Sequence, residues 1–329
     1  MSLGRTAVLN TGAKIPLLGF GTWQSEPGQV GAAVHEAIKA GYRHLDLAKV
    51  YGNQKEVAQG IKKAFSEVPG LKREDLFITS KLWNTQHRPT HVAAALDDCL
   101  KELELDYLDL YLMHFPVAFD DTSSANPHQD LFPLRDDGDV KISDEISIRD
   151  TWKAMTKLDK TKARAVGVSN FTPQHLESVI NASGVTPAAN QVERHPLLPQ
   201  PELVSYCAGK GIHITAYSGF GNNMFGEPLV ITYPEVKKVA ERLNATPAQV
   251  VLAWSQVGGH SVIPKSVTPQ RIRENFQEVE LSPSDIEAIN GLGSRARRYN
   301  IPYIANKPRW PVNIFNAPEE KEAPHSVVV

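Results

Sequence analysis

Short, almost wholly apolar runs recur along the chain: IPLLGFGT (15–22), HLDLA (44–48), LFITSKL (76–82), YLDLYLMH (107–114), ARAVGVSN (163–170), NQVE (190–193), HITAYS (213–218) and SVIPKS (261–266). Apolar side chains at nearly every position, rather than at every second one, are what a strand covered on both faces requires. Stretches of helical period lie between these runs: VGAAVHEAIKAG (30–41), KEVAQGIKKAF (55–65), HVAAALDDCLKELEL (91–105), DTWKAMTKL (150–158), HLESVIN (175–181) and ELVSYCAGKG (202–211). PEVKKVAERLN (234–244) and PAQVVLAWSQ (247–256) both precede the eighth run, and RIRENF (271–276) follows it. Gly41 and Gly211 read as helix C-caps, and Thr246-Pro247 as an N-cap with proline at the first helical position.

Eight strand–helix alternations predict an α/β fold with a parallel sheet. Closure into a (β/α)8 TIM barrel is the leading arrangement. The alternative, an open doubly wound sheet that binds a dinucleotide, would carry G-x-G-x-x-G after its first strand. Gly19-Phe20-Gly21 and Gly219-Phe220-Gly221 both lack the third glycine. The whole chain, 1–329, reads as one barrel domain with no linker. Two segments stand outside the repeat: the polar stretch 117–146 after the fourth strand, and the proline-rich tail 293–329. Catalytic groups of such barrels sit at the C-terminal ends of the strands, so both segments are expected to wall a pocket at the mouth.

Composition narrows the class. A net charge of −2 gives no bulk attraction to nucleic acid or to an anionic membrane. No apolar run reaches the ~20 residues that span a bilayer, and MSLGRTAVLN lacks the apolar core of a secretory leader. Cys99 and Cys207 are far apart and suggest neither a disulfide framework nor a zinc site. A cytoplasmic, monomeric, metal-free protein with a small-molecule ligand is the expectation.

The candidate chemistry lies at strand ends. Asp46 is in the second strand, Tyr51 just beyond it, Lys81 near the end of the third and His114 at the end of the fourth. A barrel brings these neighbouring ends to one rim. A buried carboxylate needs a partner, and Lys81 is the candidate. The ammonium would in turn lower the phenol pKa of Tyr51, ordinarily ~10, so that Tyr51 can give a proton to a substrate oxygen that His114 orients. The second half offers a cofactor site. Ser169 and Asn170 end the fifth strand, Gln191 lies in the sixth, and these side chains can bind a carboxamide. Tyr217 can stack on a flat ring. Lys265, Ser266 and Arg271 surround a helix N-terminus after the eighth strand, a setting suited to phosphate.

These motifs resemble the aldo-keto reductase family. DLAKVYGNQKEVAQGI is similar to the family's D-x-A-x-x-Y-G-N-E-x-x-V-G stretch, and ITSKLWN, DLYLMHFP, GVSNF, NQVERHP, AYS and IPKSVTPQRIREN are similar to further blocks in the same order. The resemblance implies a tetrad of Asp46, Tyr51, Lys81 and His114. It implies that Ser169, Asn170 and Gln191 hold a nicotinamide amide, with Tyr217 and Ser218 beside the ring. It implies that Lys265, Ser266 and Arg271 grip the 2′-phosphate of NADPH, with Glu274 and Asn275 near the adenine.

Within the family the chain resembles fungal NADP-dependent glycerol dehydrogenases and glyceraldehyde or aldose reductases. That likeness implies small aldehydes and pentoses as substrates, with Trp23, Trp83, Phe115 and Trp310 as candidate pocket walls. A cofactor-binding regulatory subunit of the same superfamily is the alternative. Gln54 stands where the family usually has Glu, Ala58 where Gly is common, and Gly219 where a proline commonly follows AYS. The last change falls in loop 219–228, which in the family can fold over the cofactor.

Overall fold

The computed structural model describes residues 2–122, 130–221 and 226–329. Loops 117–146 and 219–228 therefore lie partly outside the described residues. Eight parallel strands pair in chain order: β1 (Phe20–Gly21), β2 (His44–Asp46), β3 (Phe77–Leu82), β4 (Leu110–Met113), β5 (Val166–Ser169), β6 (Ala189–Glu193), β7 (His213–Tyr217) and β8 (Ser261–Val262). The sheet closes on itself. Leu18 and Val262 form a parallel bridge, with Val262 N–H on Leu17 O at 2.7 Å and Gly19 N–H on Val262 O at 2.8 Å. Closure leaves no strand edge exposed, and the expected (β/α)8 barrel is the fold observed. Every residue of β3 and β4 is buried, as their continuous apolarity requires.

The outer ring is α1 (Val30–Ala40), α2 (Gln54–Glu67), α3 (Val92–Leu103), α4 (Ile148–Thr156), α5 (Pro173–Ser183), α6 (Pro201–Lys210), α7 (Pro234–Leu243), α8 (Pro247–Ser255) and α9 (Pro269–Asn275). α1 buries Val30, Ala33, Val34, Ala37 and Ile38, the one-face spacing of an amphipathic helix. It stops at Gly41, whose φ of 115° is open to glycine at no steric cost. Thr246 caps α8 by accepting from Gln249 N–H at 3.2 Å.

Three features depart from the sequence pattern. The first apolar run is divided: Lys14–Pro16 pairs antiparallel with Thr6–Val8, and only the later residues enter the barrel. Ile15 and Leu9 of this hairpin pack on Phe77, Leu110 and Ala189, so the hairpin seals the N-terminal end. A further helix, α10 (Pro283–Asn290), was not apparent because only Asp285 and Ile289 are buried in it. The tail is also more regular than its composition suggests. It holds α11 (Pro302–Ala305) and a parallel pair, Val312–Asn313 with His325–Ser326.

The tail and the segment after β4 are joined over the mouth. Val140 N–H bonds Arg309 O at 2.9 Å, the Arg309 guanidinium grips Asp139 at 2.6–3.1 Å, and Ile148 N–H bonds Val328 O at 2.9 Å. Beneath them Trp83, Val117, Phe119, Val140, Ile142, Trp310, Val312 and Ile314 form one apolar cluster.

Candidate active site

Asp46 ends β2 at 1% exposure, and Lys81 in β3 is fully buried. Lys81 Nζ lies 2.6 Å from Asp46 Oδ2, 2.8 Å from Leu47 O and 3.3 Å from Tyr51 Oη. An ammonium has three donors, and each has an acceptor here. The other Asp46 oxygen accepts from Gln191 Nε2 at 2.6 Å, from β6 across the barrel. The buried acid is thus paired and fully bonded, the condition under which such a charge is tolerated. Tyr51 ends a single 3-10 turn after β2, and its ring stands edge-on to His114 with centroids 5.9 Å apart. His114 follows β4 and stacks on Phe115 at 5.3 Å. The four side chains expected at one rim are therefore gathered there.

The electrostatics correct one sequence expectation. Burial, reinforced by the Asp46 charge, raises the Tyr51 phenol well above its ordinary value rather than lowering it. Removing a phenolate from water and setting it near a carboxylate outweighs a 3.3 Å contact with the ammonium. Tyr51 is therefore a phenol that keeps its proton until an acceptor arrives. Burial lowers the pKa of Lys81, and Asp46 opposes that shift. Burial, with Lys81 and His87 adding to it, holds His114 well below the usual imidazole range, so its ring is neutral.

The second group is also brought together, chiefly by bonds among its own members. Ser169 Oγ donates to Gln191 O at 2.8 Å. Asn170, in the left-handed region at φ 64°, donates from Nδ2 to His114 O at 3.0 Å and to Ser169 Oγ at 3.2 Å. Tyr217 Oη donates to Asn170 Oδ1 at 2.6 Å. Ser218, at φ 51°, accepts from Asn300 Nδ2 at 3.4 Å. These bonds tie the ends of β4, β5, β6 and β7 into one network. Lys265, Ser266, Arg271, Glu274 and Asn275 lie on and just before α9. Lys265 Nζ donates to Gln24 O at 2.5 Å, Ser266 Oγ accepts from Thr268 N–H at 3.1 Å, Glu274 accepts from Gln270, Asn275 is buried, and Arg271 is exposed.

Of the four candidate pocket walls, three converge. Trp310 lies edge-on to Phe115 at 4.8 Å and to Trp83 at 5.6 Å. Phe119 and Phe132 join them from the segment after β4, and neither had been picked out from the sequence. Trp23 stands apart at 40% exposure and takes no part in these ring contacts. Gln54, the departure from the family's Glu, is buried and bridges Ser80, Cys99 and Glu102. No helix among the described residues is long and apolar enough to cross a membrane.

Residues 17–294 match the Aldo/keto reductase family. That span takes in all eight strands and all four rim residues. The chain belongs to the aldo/keto reductase family. It is 62% identical over its whole length to the D/L-glyceraldehyde reductase of Hypocrea jecorina, covering 99% of that protein. It is 41% identical to aldo-keto reductase family 1 member A1 of Sus scrofa, over 93% of this chain and 97% of the relative. Among solved structures, the aldose reductase of Giardia lamblia superimposes with a TM-score of 0.83 at 39% identity, over 92% of this chain and 98% of that one. The aldose reductase of Schistosoma japonicum gives 0.82 at 39%, over 92% and 95%. As a family member with this fold the chain is an oxidoreductase acting on small carbonyl compounds.

Proposed function

We propose that this aldo-keto reductase uses NADPH to reduce small aldehydes and aldoses, glyceraldehyde-like compounds and pentoses foremost, and runs in reverse as an NADP-dependent polyol (glycerol) dehydrogenase. The observation that carries this reading is the three-partner ammonium of Lys81, which ties Asp46 to the Tyr51 hydroxyl beside a neutral His114. The name of the Hypocrea jecorina relative supports the substrate class.

The donor set fits a nicotinamide dinucleotide. Gln191 spends an N–H on Asp46 and keeps its amide oxygen as an acceptor for a carboxamide, while Tyr217 offers a ring face at the same rim. Lys265 and Arg271 supply the cations that a 2′-phosphate needs, through charge-assisted bonds, which favours NADPH over NADH. When bound, the nicotinamide supplies a hydride. The protein's own part is to supply the proton and fix the geometry. Tyr51 keeps its proton at Oη and releases it to the substrate oxygen as negative charge develops there. Lys81, anchored by Asp46, stabilises the phenolate left behind. His114, neutral and able to donate, orients the same oxygen. Trp83, Phe115 and Trp310 exclude water from the mouth. The protein acts as a monomer.

The test is loss of NADPH absorbance with D- and L-glyceraldehyde and with pentoses, together with NADP+ reduction by glycerol. Turnover of the aldehydes is expected. A pure, folded protein that binds NADPH and reduces none of them would overturn the proposal.

A further inference from the structure

The last residue of β6, Glu193, is fully buried. It lies two positions beyond Gln191, so both side chains leave the same face of the strand. Gln191 reaches Asp46, and Glu193 sits one step nearer the mouth, in register with Tyr217 at the end of β7. Its carboxylate serves the tail. Oε1 accepts from Tyr299 N–H at 2.9 Å and from His195 Nε2 at 2.9 Å, and Oε2 accepts from Asn300 N–H at 2.8 Å. Gln200 ties the same place a second time, donating to Glu193 O at 2.6 Å and accepting from Arg298 Nη2 at 3.0 Å. Burial opposes the carboxylate charge, but the bond and charge of His195, the Arg298 charge and the Tyr299 N–H outweigh it and hold the carboxyl below its usual range. Glu193 is therefore ionised, and its bonds to the two amides are charge-assisted.

Those two bonds fix where Asn300 stands. Its Nδ2 meets Ser218 Oγ at 3.4 Å, next to Tyr217, and two residues further on Pro302 O accepts from Trp310 N–H at 3.5 Å. Asn300 is thus set between the end of β7 and the tail segment that seats Trp310 on Phe115 and Trp83. It is half-buried, and its Oδ1 makes no hydrogen bond among the described residues. The rings around it offer a hydroxyl little, since Trp83 Nε1 is already bonded to Leu131 O at 2.7 Å.

We propose that Glu193 is a positioning residue: through the Tyr299 and Asn300 amides it holds the Asn300 side chain at the mouth, where that amide recognises the hydroxyl beside the carbonyl of a hydroxyaldehyde. This rests on the proposed reduction of glyceraldehyde-like compounds and names the residues that select them. The selection works by difference, because a plain aldehyde gains nothing from the amide. Nothing in NQVERHP shows the role, since the partners are backbone amides 106 and 107 residues away.

The test reads the ratio of kcat/KM for D-glyceraldehyde to kcat/KM for propanal, which has the same carbon chain and no hydroxyl. A general loss of activity leaves that ratio unmoved. Asn300→Ala should lower it roughly threefold to tenfold, the contribution of one neutral hydrogen bond, chiefly through KM for glyceraldehyde. Glu193→Gln, which puts an N–H where an acceptor stood, should lower it by up to the same factor. In the double variant Glu193→Gln should add nothing to Asn300→Ala, because it acts through that side chain. An unchanged ratio in either single variant overturns the proposal, as do two losses that add in full. If Glu193→Gln does not fold, amide hydrogen exchange in the wild type decides. The Tyr299 and Asn300 N–H groups should exchange as slowly as those of β6 and β7, and exchange at the rate of an open loop overturns the proposal. A protein that reduces neither aldehyde overturns the proposed activity, and the comparison then becomes affinity for glycerol against propan-1-ol with NADP+ present, by calorimetry. A preference for glycerol that Asn300→Ala abolishes upholds the assignment, and equal affinities overturn it.

Discussion

Lys81 is the residue whose loss probes the rim most fully. Lys81→Met keeps the stem's volume and removes the charge. Among the described residues, Asp46, at 1% exposure, would then keep only the 2.6 Å bond from Gln191 on its side chain. Removing one partner of a buried pair costs about 3–5 kcal/mol, because the remaining charge stays buried. Removing both charges together avoids that penalty, and neutral replacements of whole pairs are often harmless. The double variant Asp46→Asn/Lys81→Met should therefore be more stable than Lys81→Met alone, by about 2 kcal/mol or more. Unfolding entropy of ~2.1 cal/mol/K per residue gives about 0.7 kcal/mol/K for this chain, so the single change should lower Tm by roughly 4–7 °C. Urea titration followed by tryptophan fluorescence measures the free energies directly. Both variants should lose turnover, since neither stabilises the Tyr51 phenolate. A cycle in which the two costs simply add, or a Lys81→Met protein destabilised by under about 1 kcal/mol, would refute the reasoning. Either result would show that Asp46 is satisfied without the ammonium.

Stability should also fall in mild acid. Burial lowers His87 to about 3 and His175 to about 4, whereas an unfolded imidazole titrates near ~6.5. The unfolded state binds the extra protons, so the contribution is complete above ~pH 6.5 and is lost as pH falls toward the folded values. The two groups account for roughly 3–4 kcal/mol between pH 7 and pH 5; equal urea midpoints at those pH values would contradict this. Arg271→Ala should weaken NADPH binding about tenfold, the worth of one charge-assisted bond at an exposed site, and leave NADH nearly unchanged; equal losses in fluorescence titrations would count against the 2′-phosphate assignment. Gly60→Ala should lower Tm, because its Cβ would press on the Gly31 carbonyl where α1 and α2 cross. That overpacking costs about 1–3 kcal/mol or more against a helix-propensity gain of at most about 1; an unchanged or raised Tm would contradict the close-contact reading.

The barrel was legible because its strands are covered on both faces and so read as unbroken apolar runs. The same continuity hid the hairpin. Nothing between Ile15 and Gly21 marks where the N-terminal cover ends and the barrel begins, and only the pairing of Thr6–Val8 with Lys14–Pro16 separates them. The Asp46–Lys81 pair was legible because each charge interrupts an apolar strand near its C-terminal end, and adjacent strands place such residues side by side. The bond from Gln191 to Asp46 was not, since β2 and β6 are not neighbours and only closure of the barrel brings them together.

The direction of the Tyr51 shift could not be read from residue types. It depends on how deeply the phenol is buried, and that depth is set by the chain packed around the rim. Trp310 illustrates the same point. Its place in the sequence, in a polar tail, says little, but the Arg309–Asp139 clamp beside it seats the ring on Phe115 and Trp83 at 1% exposure.

The proton held on Tyr51 is the point on which the proposed chemistry turns, and removal of one oxygen atom tests it. Tyr51→Phe gives up a single long contact with Lys81, so folding and NADPH affinity should be preserved. Aldehyde reduction under saturating NADPH should fall by about 10²–10⁴ or more, the contribution of a general acid. Turnover within about tenfold of wild type would mean that another group delivers the proton.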